Sequence, residues 1–310
     1  MSLDPQVRAH LDTLAATGAP PMHTLSAPQA RQQILAELDT GAPPTPVAAV
    51  VNRVIPGPGG DLPVRIYTPE GQGPFPLVVY FHGSGFVVCN LDTHDGICRH
   101  LCKGASCVVV SVDYRLAPEN KFPAAPDDCL AATRWTAAHA AELNGDATRL
   151  VVAGDSAGGN LATVTALRIR DEGGPALRGQ LLVYPVTDYH TAGMPSYAEN
   201  ADGYSLTRDS MIWFWNHYLN NPTEATHPHV APLRADSLRG LPPALVITAG
   251  YDPLRDEGDR YAERLQSEGV PTVHSRYPGM IHGFFGMTGV VDQAQAAIDE
   301  ACAWLRQVNS

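Results

Sequence analysis

From residue 47 to the C-terminus, short apolar runs rich in β-branched residues alternate with helix-length amphipathic segments, and no other feature constrains the fold as tightly. The runs are VAAVV, LPVRIY, LVVYF, CVVVSVDY, RLVVAG, QLLVYP, ALVITAG and TVHSRY. The amphipathic segments occupy 91–104, 126–142, 157–171, 254–268 and 291–306. Strands that are apolar throughout and separated by helices pair in parallel, with both faces of the sheet covered. Right-handed crossovers then place helices on both faces. The first two runs have no helix between them and carry the turn residues IPGPGG, which predicts an antiparallel hairpin at one edge. The expectation is an α/β fold built on a mostly parallel eight-stranded sheet.

Ahead of this pattern, Val7, Leu11 and Leu14 fall on one helical face, and Ile34, Leu35 and Leu38 do so again after a start near Ser26. The stretch GAPPTP (41–46) ends the second helix. Residues 187–230 break the alternation: they contain no strand-like run but hold Met211-Ile212-Trp213-Phe214-Trp215 and Tyr218. An insertion between two core strands sits above the carboxyl ends of the sheet. One reading is a helix packing its own apolar face; the other is a cap lining a pocket, and the two are compatible. The expected organisation is residues 1–45 as the N-terminal part of a cap and 46–310 as the catalytic domain, with a cap insertion at about 187–230.

The chain has 310 residues, 44% of them hydrophobic and 17% charged, with a formal net charge of −11. That apolar content fills one large core. The acidic balance argues against nucleic acid and anionic membrane surfaces, both of which attract basic patches. No apolar run approaches the roughly 20 residues needed to span a bilayer. The N-terminus lacks the basic and apolar regions of a signal peptide, so the expected location is the cytoplasm. The scattered cysteines Cys89, Cys98, Cys102, Cys107, Cys129 and Cys302 fit buried, reduced thiols. His94, Cys98 and Cys102 are spaced four apart, but no fourth ligand is evident, and no metal is expected. Asp127 and Asp128 suit a helix start and are assigned no chemistry.

The strongest local signal is Gly154-Asp155-Ser156-Ala157-Gly158-Gly159, set between the apolar run LVVA and a helical stretch. This is the context of a nucleophile elbow, a tight strand-to-helix turn with serine at its tip. A serine needs a base, and the base needs an orienting acid. Only His274 and His282 lie beyond the run 244–250. His274 alternates within a strand, whereas His282 sits in the glycine-flanked loop Pro278-Gly279-Met280-Ile281-His282-Gly283-Phe284, so His282 is the candidate base. Asp252 directly follows ALVITAGY and is the candidate acid. It also reads as a plain helix cap, and Asp256 is its competitor one turn on. His82-Gly83-Ser84-Gly85-Phe86 follows the run LVVYF, where esterases carry an HGGG loop. The amides of Gly83 and Ser84, with Gly85 as an alternative, join that of Ala157 as candidate oxyanion donors. Ser84 stands where the pattern has glycine. Because the amide donates, its hydroxyl is incidental to that role.

These motifs, together with Val112-Asp113-Tyr114-Arg115-Leu116-Ala117-Pro118-Glu119 and Asp252-Pro253-Leu254-Arg255-Asp256-Glu257-Gly258, resemble the bacterial hormone-sensitive-lipase-like carboxylesterases in order and spacing. The resemblance covers the chain from about residue 45. It implies an α/β-hydrolase of the GDSAG branch that hydrolyses short-to-medium acyl esters through an acyl-serine intermediate. It also implies no cofactor, and often homodimers paired through a sheet edge. An amidase or formamidase would carry the same residues. A non-catalytic small-molecule receptor on this fold typically loses the histidine, which is present here.

Overall fold

A computed structural model describes residues 2–36, 38 and 43–310. The eight apolar runs become β1 (Ala49–Gly57), β2 (Gly60–Thr68), β3 (Phe75–Phe81), β4 (Val108–Val112), β5 (Gly145–Asp155), β6 (Gly179–Val183), β7 (Ala244–Tyr251) and β8 (Thr272–Ile281). They form one sheet in the order β1-β2-β4-β3-β5-β6-β7-β8. The β1–β2 hairpin is antiparallel at the edge and β2 joins β4 antiparallel, while every pair from β4 to β8 is parallel. Val51 and Val54 of the hairpin stay exposed.

The helices are α1 (Pro5–Ala16), α2 (Ala27–Ala36), α3 (Asp95–Ala105), α4 (Ala124–Ala138), α5 (Ala157–Glu172), α6 (Ser196–Glu199), α7 (Arg208–Tyr218), α8 (Arg255–Ser267) and α9 (Asp292–Val308). Alternate strand residues serve the two faces. Leu77, Val79 and Phe81 join a core with residues of α4, α5, α7 and α8, whereas Val78 and Tyr80 join a core with α3 and α9. The N-terminal helices divide between these cores. Ala27 and Ala30 of α2 pack on the first, and Val7 and Leu11 of α1 on the second. Leu35, expected on the buried face of α2, is exposed. Leu38 is described but lies beyond α2, and Gly41 and Ala42 of the expected break fall outside the described residues.

Residues 187–230 contain α6, α7 and a short 3-10 turn (Pro222–Thr226) with no strand. α7 begins at a Thr207 cap whose side chain accepts the Ser210 amide, and it buries Met211, Phe214, Trp215 and Tyr218. Trp213 Nε1 donates to Leu25 O at 3.2 Å, joining this insertion to the N-terminal segment. Arg31 of α2 reaches further in: its Nε donates to Val87 O at 2.8 Å and one terminal nitrogen to Ala117 O at 2.9 Å. Its guanidinium also pairs with Glu119 at 2.7 Å. Among the described residues no helix is long and apolar enough to cross a membrane. All six cysteines are free, and only Cys89 is less than fully buried.

Glu257, in the first turn of α8, has no exposed surface. Its Oε1 accepts the Thr187 amide at 2.7 Å and the Asp188 amide at 3.3 Å, tying α8 to the start of the insertion. Its other oxygen makes no hydrogen bond of normal geometry, although the Tyr197 hydroxyl lies beside it. Burial pushes the Glu257 carboxyl well above its ordinary 4.5, the two amides offsetting only part of the effect. The folded state therefore keeps a proton that the unfolded chain gives up near pH 4.5, and stability falls as pH rises above that value. Glu257→Gln keeps the shape and the amide acceptor without a titrating proton. Its melting temperature relative to the parent is expected to climb between pH 5 and pH 8, as thermal melts across that range would record. A constant difference across the range would mean that Glu257 is ionised in the folded protein.

Candidate active site

Loops leave the carboxyl ends of β3, β5, β7 and β8 at the same edge of the sheet, the usual place for a ligand in an open α/β fold. The sharpest is the turn from β5 into α5. Ser156 occupies it with φ 55° and ψ −121°, a region that costs a residue with a side chain about 1–3 kcal/mol. The turn is braced from β6 and the chain beyond it. The Ser156 amide donates to Val183 O at 2.9 Å, and its carbonyl accepts the Val186 amide at 3.1 Å. The glycines on either side are there for backbone approach. A Cβ on Gly158 would stand 1.8 Å from Phe81 O, and one on Gly154 2.3 Å from Gly158 O.

The structure brings Ser156, His282 and Asp252 into one line. Ser156 Oγ lies 2.9 Å from His282 Nε2, and His282 Nδ1 lies 2.7 Å from Asp252 Oδ2. A proton on Nδ1, facing the carboxylate, leaves Nε2 as the acceptor for the serine hydroxyl. Asp252 is fully buried, and its second oxygen accepts the Leu254 amide at 2.8 Å. α8 is capped at Leu254 without a side-chain bond, so Asp252 is not its cap; one oxygen closes a turn ahead of the helix and the other meets His282. From α6's end, Asn200 Nδ2 donates to Asp252 O at 3.0 Å. The Tyr184 ring lies 4.5 Å from that of His282. Asp256 is committed elsewhere, accepting the Ser196 amide at 2.8 Å and Arg255 Nε at 2.8 Å. His274 is in β8, 3.0 Å from Asp259.

The loop after β3 supplies backbone donors. Among the described residues the amides of Ser84 and Gly85 meet no protein acceptor, and Ala157 heads α5, where a helical N–H has no intrahelical partner. Ser84 keeps a negative φ, while Gly85 is left-handed at 53°. Gly83 departs from the expected set. Its amide donates to Asp155 Oδ1 at 2.8 Å, with His94 Nε2 3.2 Å away, so that N–H is occupied within the fold. The free amides are those of Ser84, Gly85 and Ala157.

Asp155 is the anchor that sequence reasoning missed. It also accepts Tyr80 Oη at 2.7 Å and lies 3.3 Å from His94 Nε2. Burial pushes its carboxyl up, but His94, Tyr80 and the Gly83 amide outweigh burial and hold it below the ordinary value. His94 is thereby drawn to this carboxylate at the head of α3. Beside it, burial and then the neighbouring His94 push His82 down to about 3, so His82 is neutral. Asp128 likewise gains a role: it is buried and accepts the Arg115 amide at 2.9 Å and its guanidinium at 2.8 Å. The insertion closes over the loop from outside. Phe214 of α7 lies where a Cβ on Gly85 would fall, and Tyr218 stacks on Phe86 at 3.8 Å and 6°.

Comparison with known proteins agrees with this architecture. A family described as having the alpha/beta hydrolase fold matches residues 78–286. Esterase LipI of Mycobacterium tuberculosis is 47% identical over 274 residues, 86% of this chain and 84% of that protein. Ethyl acetate hydrolase of Pseudomonas putida is 36% identical over 310 residues, 96% of each chain. Among solved structures, a hyperthermophilic esterase from the archaeon Pyrobaculum calidifontis is similar with a TM-score of 0.94, at 41% identity and 99% coverage of both chains. The chain belongs to the hormone-sensitive-lipase-like carboxylesterase family of α/β-hydrolases.

Proposed function

We propose that the protein hydrolyses carboxylic esters of short-to-medium acyl chains through an acyl-serine intermediate, with Ser156 as nucleophile, His282 as general base and acid, and Asp252 as the orienting carboxylate. The observation that carries this reading is the unbroken line Ser156 Oγ–His282 Nε2 at 2.9 Å and His282 Nδ1–Asp252 Oδ2 at 2.7 Å. His282 Nε2 takes the serine proton as Oγ bonds to the ester carbonyl carbon. The carbonyl oxygen gains the negative charge and is met by the amides of Ser84, Gly85 and Ala157 at the positive end of α5. The imidazolium then gives its proton to the departing alcohol. Water repeats the sequence on the acyl-enzyme and returns the serine. Asp252 stays ionised and holds the tautomer.

The insertion at 187–230 and α2 act as the cap in this reading. Phe214 against Gly85 and Tyr218 on Phe86 place aromatic rings beside the oxyanion loop, which supports small acyl groups. The ethyl acetate hydrolase relative supports the same class. The net charge of −11 supports a neutral ester as partner rather than nucleic acid or an anionic membrane surface.

Ser156→Ala and His282→Ala are each expected to lower kcat on p-nitrophenyl butyrate by about 10⁶, and the double variant little further, because the groups act as a unit. Asp252→Asn is expected to cost about 10⁴ in kcat, with Asp256→Asn close to the parent. Losses from Ser156 and His282 that multiply in the double variant would remove the assignment.

Across p-nitrophenyl esters from acetate to palmitate, each added methylene that is buried contributes about 0.8 kcal/mol. The specificity constant is expected to rise to butyrate or hexanoate and then fall sharply. A maximum at palmitate would point to a true lipase.

A further inference from the structure

The Ser84 hydroxyl, incidental to an amide donor on sequence grounds, is the middle of a directed hydrogen-bond chain. Tyr114 Oη donates to His82 O at 2.6 Å. A phenol has one proton to give, so the 2.6 Å contact between Ser84 Oγ and Tyr114 Oη runs from serine to tyrosine. The serine oxygen in turn accepts the Phe86 amide at 2.8 Å. The order is Phe86 N–H to Ser84 Oγ–H to Tyr114 Oη–H to His82 C=O, every bond pointing the same way. Aligned bonds of this kind strengthen one another, and more so away from water. His82, Ser84, Phe86 and Tyr114 are all buried. The Tyr114 ring is held from the other side by the His82 ring, stacked at 4.4 Å and 16°. Burial pushes the Tyr114 phenol well above its ordinary value, so its proton stays in place.

The chain ties residues 82, 84 and 86 of one loop, and the free amides of Ser84 and Gly85 lie between the ties. That segment requires restraint. Gly85 and Phe86 are both left-handed, at φ 53° and 65°, and for phenylalanine this costs about 1–2 kcal/mol. The stack on Tyr218 fixes the Phe86 ring. The Ser84 hydroxyl fixes the backbone itself, by holding the Phe86 N–H.

We propose that the Ser84 hydroxyl is a positioning group, which keeps the Ser84 and Gly85 amides aimed at the transition-state oxygen by linking the Phe86 amide to Tyr114. The proposal rests on the ester-hydrolase reading above. It makes the serine that replaces a glycine of the HGGG pattern a working part of this loop.

The test is a double-variant cycle on p-nitrophenyl butyrate with Ser84→Ala, Tyr114→Phe and the pair. Loss of one oxyanion donor costs 10²–10³ in kcat, and misaiming two without removing either is expected to cost about 10- to 100-fold. KM should stay within about threefold, because the amides strengthen their contact only in the transition state. Inhibition by a trifluoromethyl ketone, whose adduct carries the same oxyanion, should weaken by the same factor as kcat/KM. The double variant should be no more than about threefold below the weaker single one. Tyr114→Phe keeps the stacked ring and decides the matter alone if Ser84→Ala does not fold. A kcat within twofold of the parent in either folded variant overturns the proposal. So does a raised KM at unchanged kcat, or losses that multiply in the pair. Ser156→Ala in the same assay separates the two levels. If it is inactive while Ser84→Ala is normal, only the positioning role falls. If it remains active, the serine mechanism falls with it.

Discussion

The whole arrangement depends on how closely two backbones meet where β3 and β5 end side by side. Only a glycine at 158 allows the first turn of α5 to press against Phe81 O. That contact sets the distance between the Ser156 turn and the loop that begins at His82. Asp155 completes the junction by accepting the Gly83 amide while leading directly into Ser156. Residues 155, 156 and 157 thus carry the loop's anchor, the serine and one free amide in succession. Their relative geometry is fixed by covalent connection rather than by side-chain packing, which limits how far it can drift.

Most of the frame is visible in the sequence because it follows from periodicity. Each of the eight apolar runs became a strand, and each predicted amphipathic segment holds a helix, with ends displaced by a few residues. The positions brought together at the sheet edge were legible for a related reason. Ser156 and Asp252 directly follow recognisable apolar runs, and His282 is separated from His274 because it lies in a glycine-flanked segment beyond a run rather than within one. What could not be read was where individual amides point. Gly83 and Gly85 look equivalent in His82-Gly83-Ser84-Gly85, and only the buried Asp155 carboxylate from a neighbouring strand distinguishes them. Glu257 shows the same limit from another side. In Asp256-Glu257 it reads as ordinary negative charge at a helix start, yet the helix's rotation carries it fully inside. The N-terminal helices are alike in pattern, and their assignment to opposite faces depends on partners far away in the chain.

Asp252 serves two contacts at once. In the turn just ahead of α8 it accepts the Leu254 amide, and toward the site it meets His282, one oxygen for each. The backbone interaction holds the side chain in the rotamer that the histidine needs. Burial without competing water then keeps the second oxygen for the imidazole alone.

The insertion touches the loop after β3 through few side chains, chiefly Phe214 on Gly85 and Tyr218 on Phe86. Trp215 of α7 adds a third ring beside Phe86, at 5.8 Å, and elsewhere the insertion ties into the segment that carries Asp252, through Asn200 to Asp252 O and the Thr187 and Asp188 amides to Glu257. Exchanging the insertion therefore also exchanges supports of the Ser156–His282–Asp252 line. A recombinant that takes the insertion of a relative leaves that line undisturbed where it retains the rings at positions 214, 215 and 218 together with these polar ties. Exchanges that ignore these ties shift the Asp252 segment as well as the surface above the loop. The interchangeable unit is thus the insertion minus its rings on the loop and its bonds to residues 252 and 257.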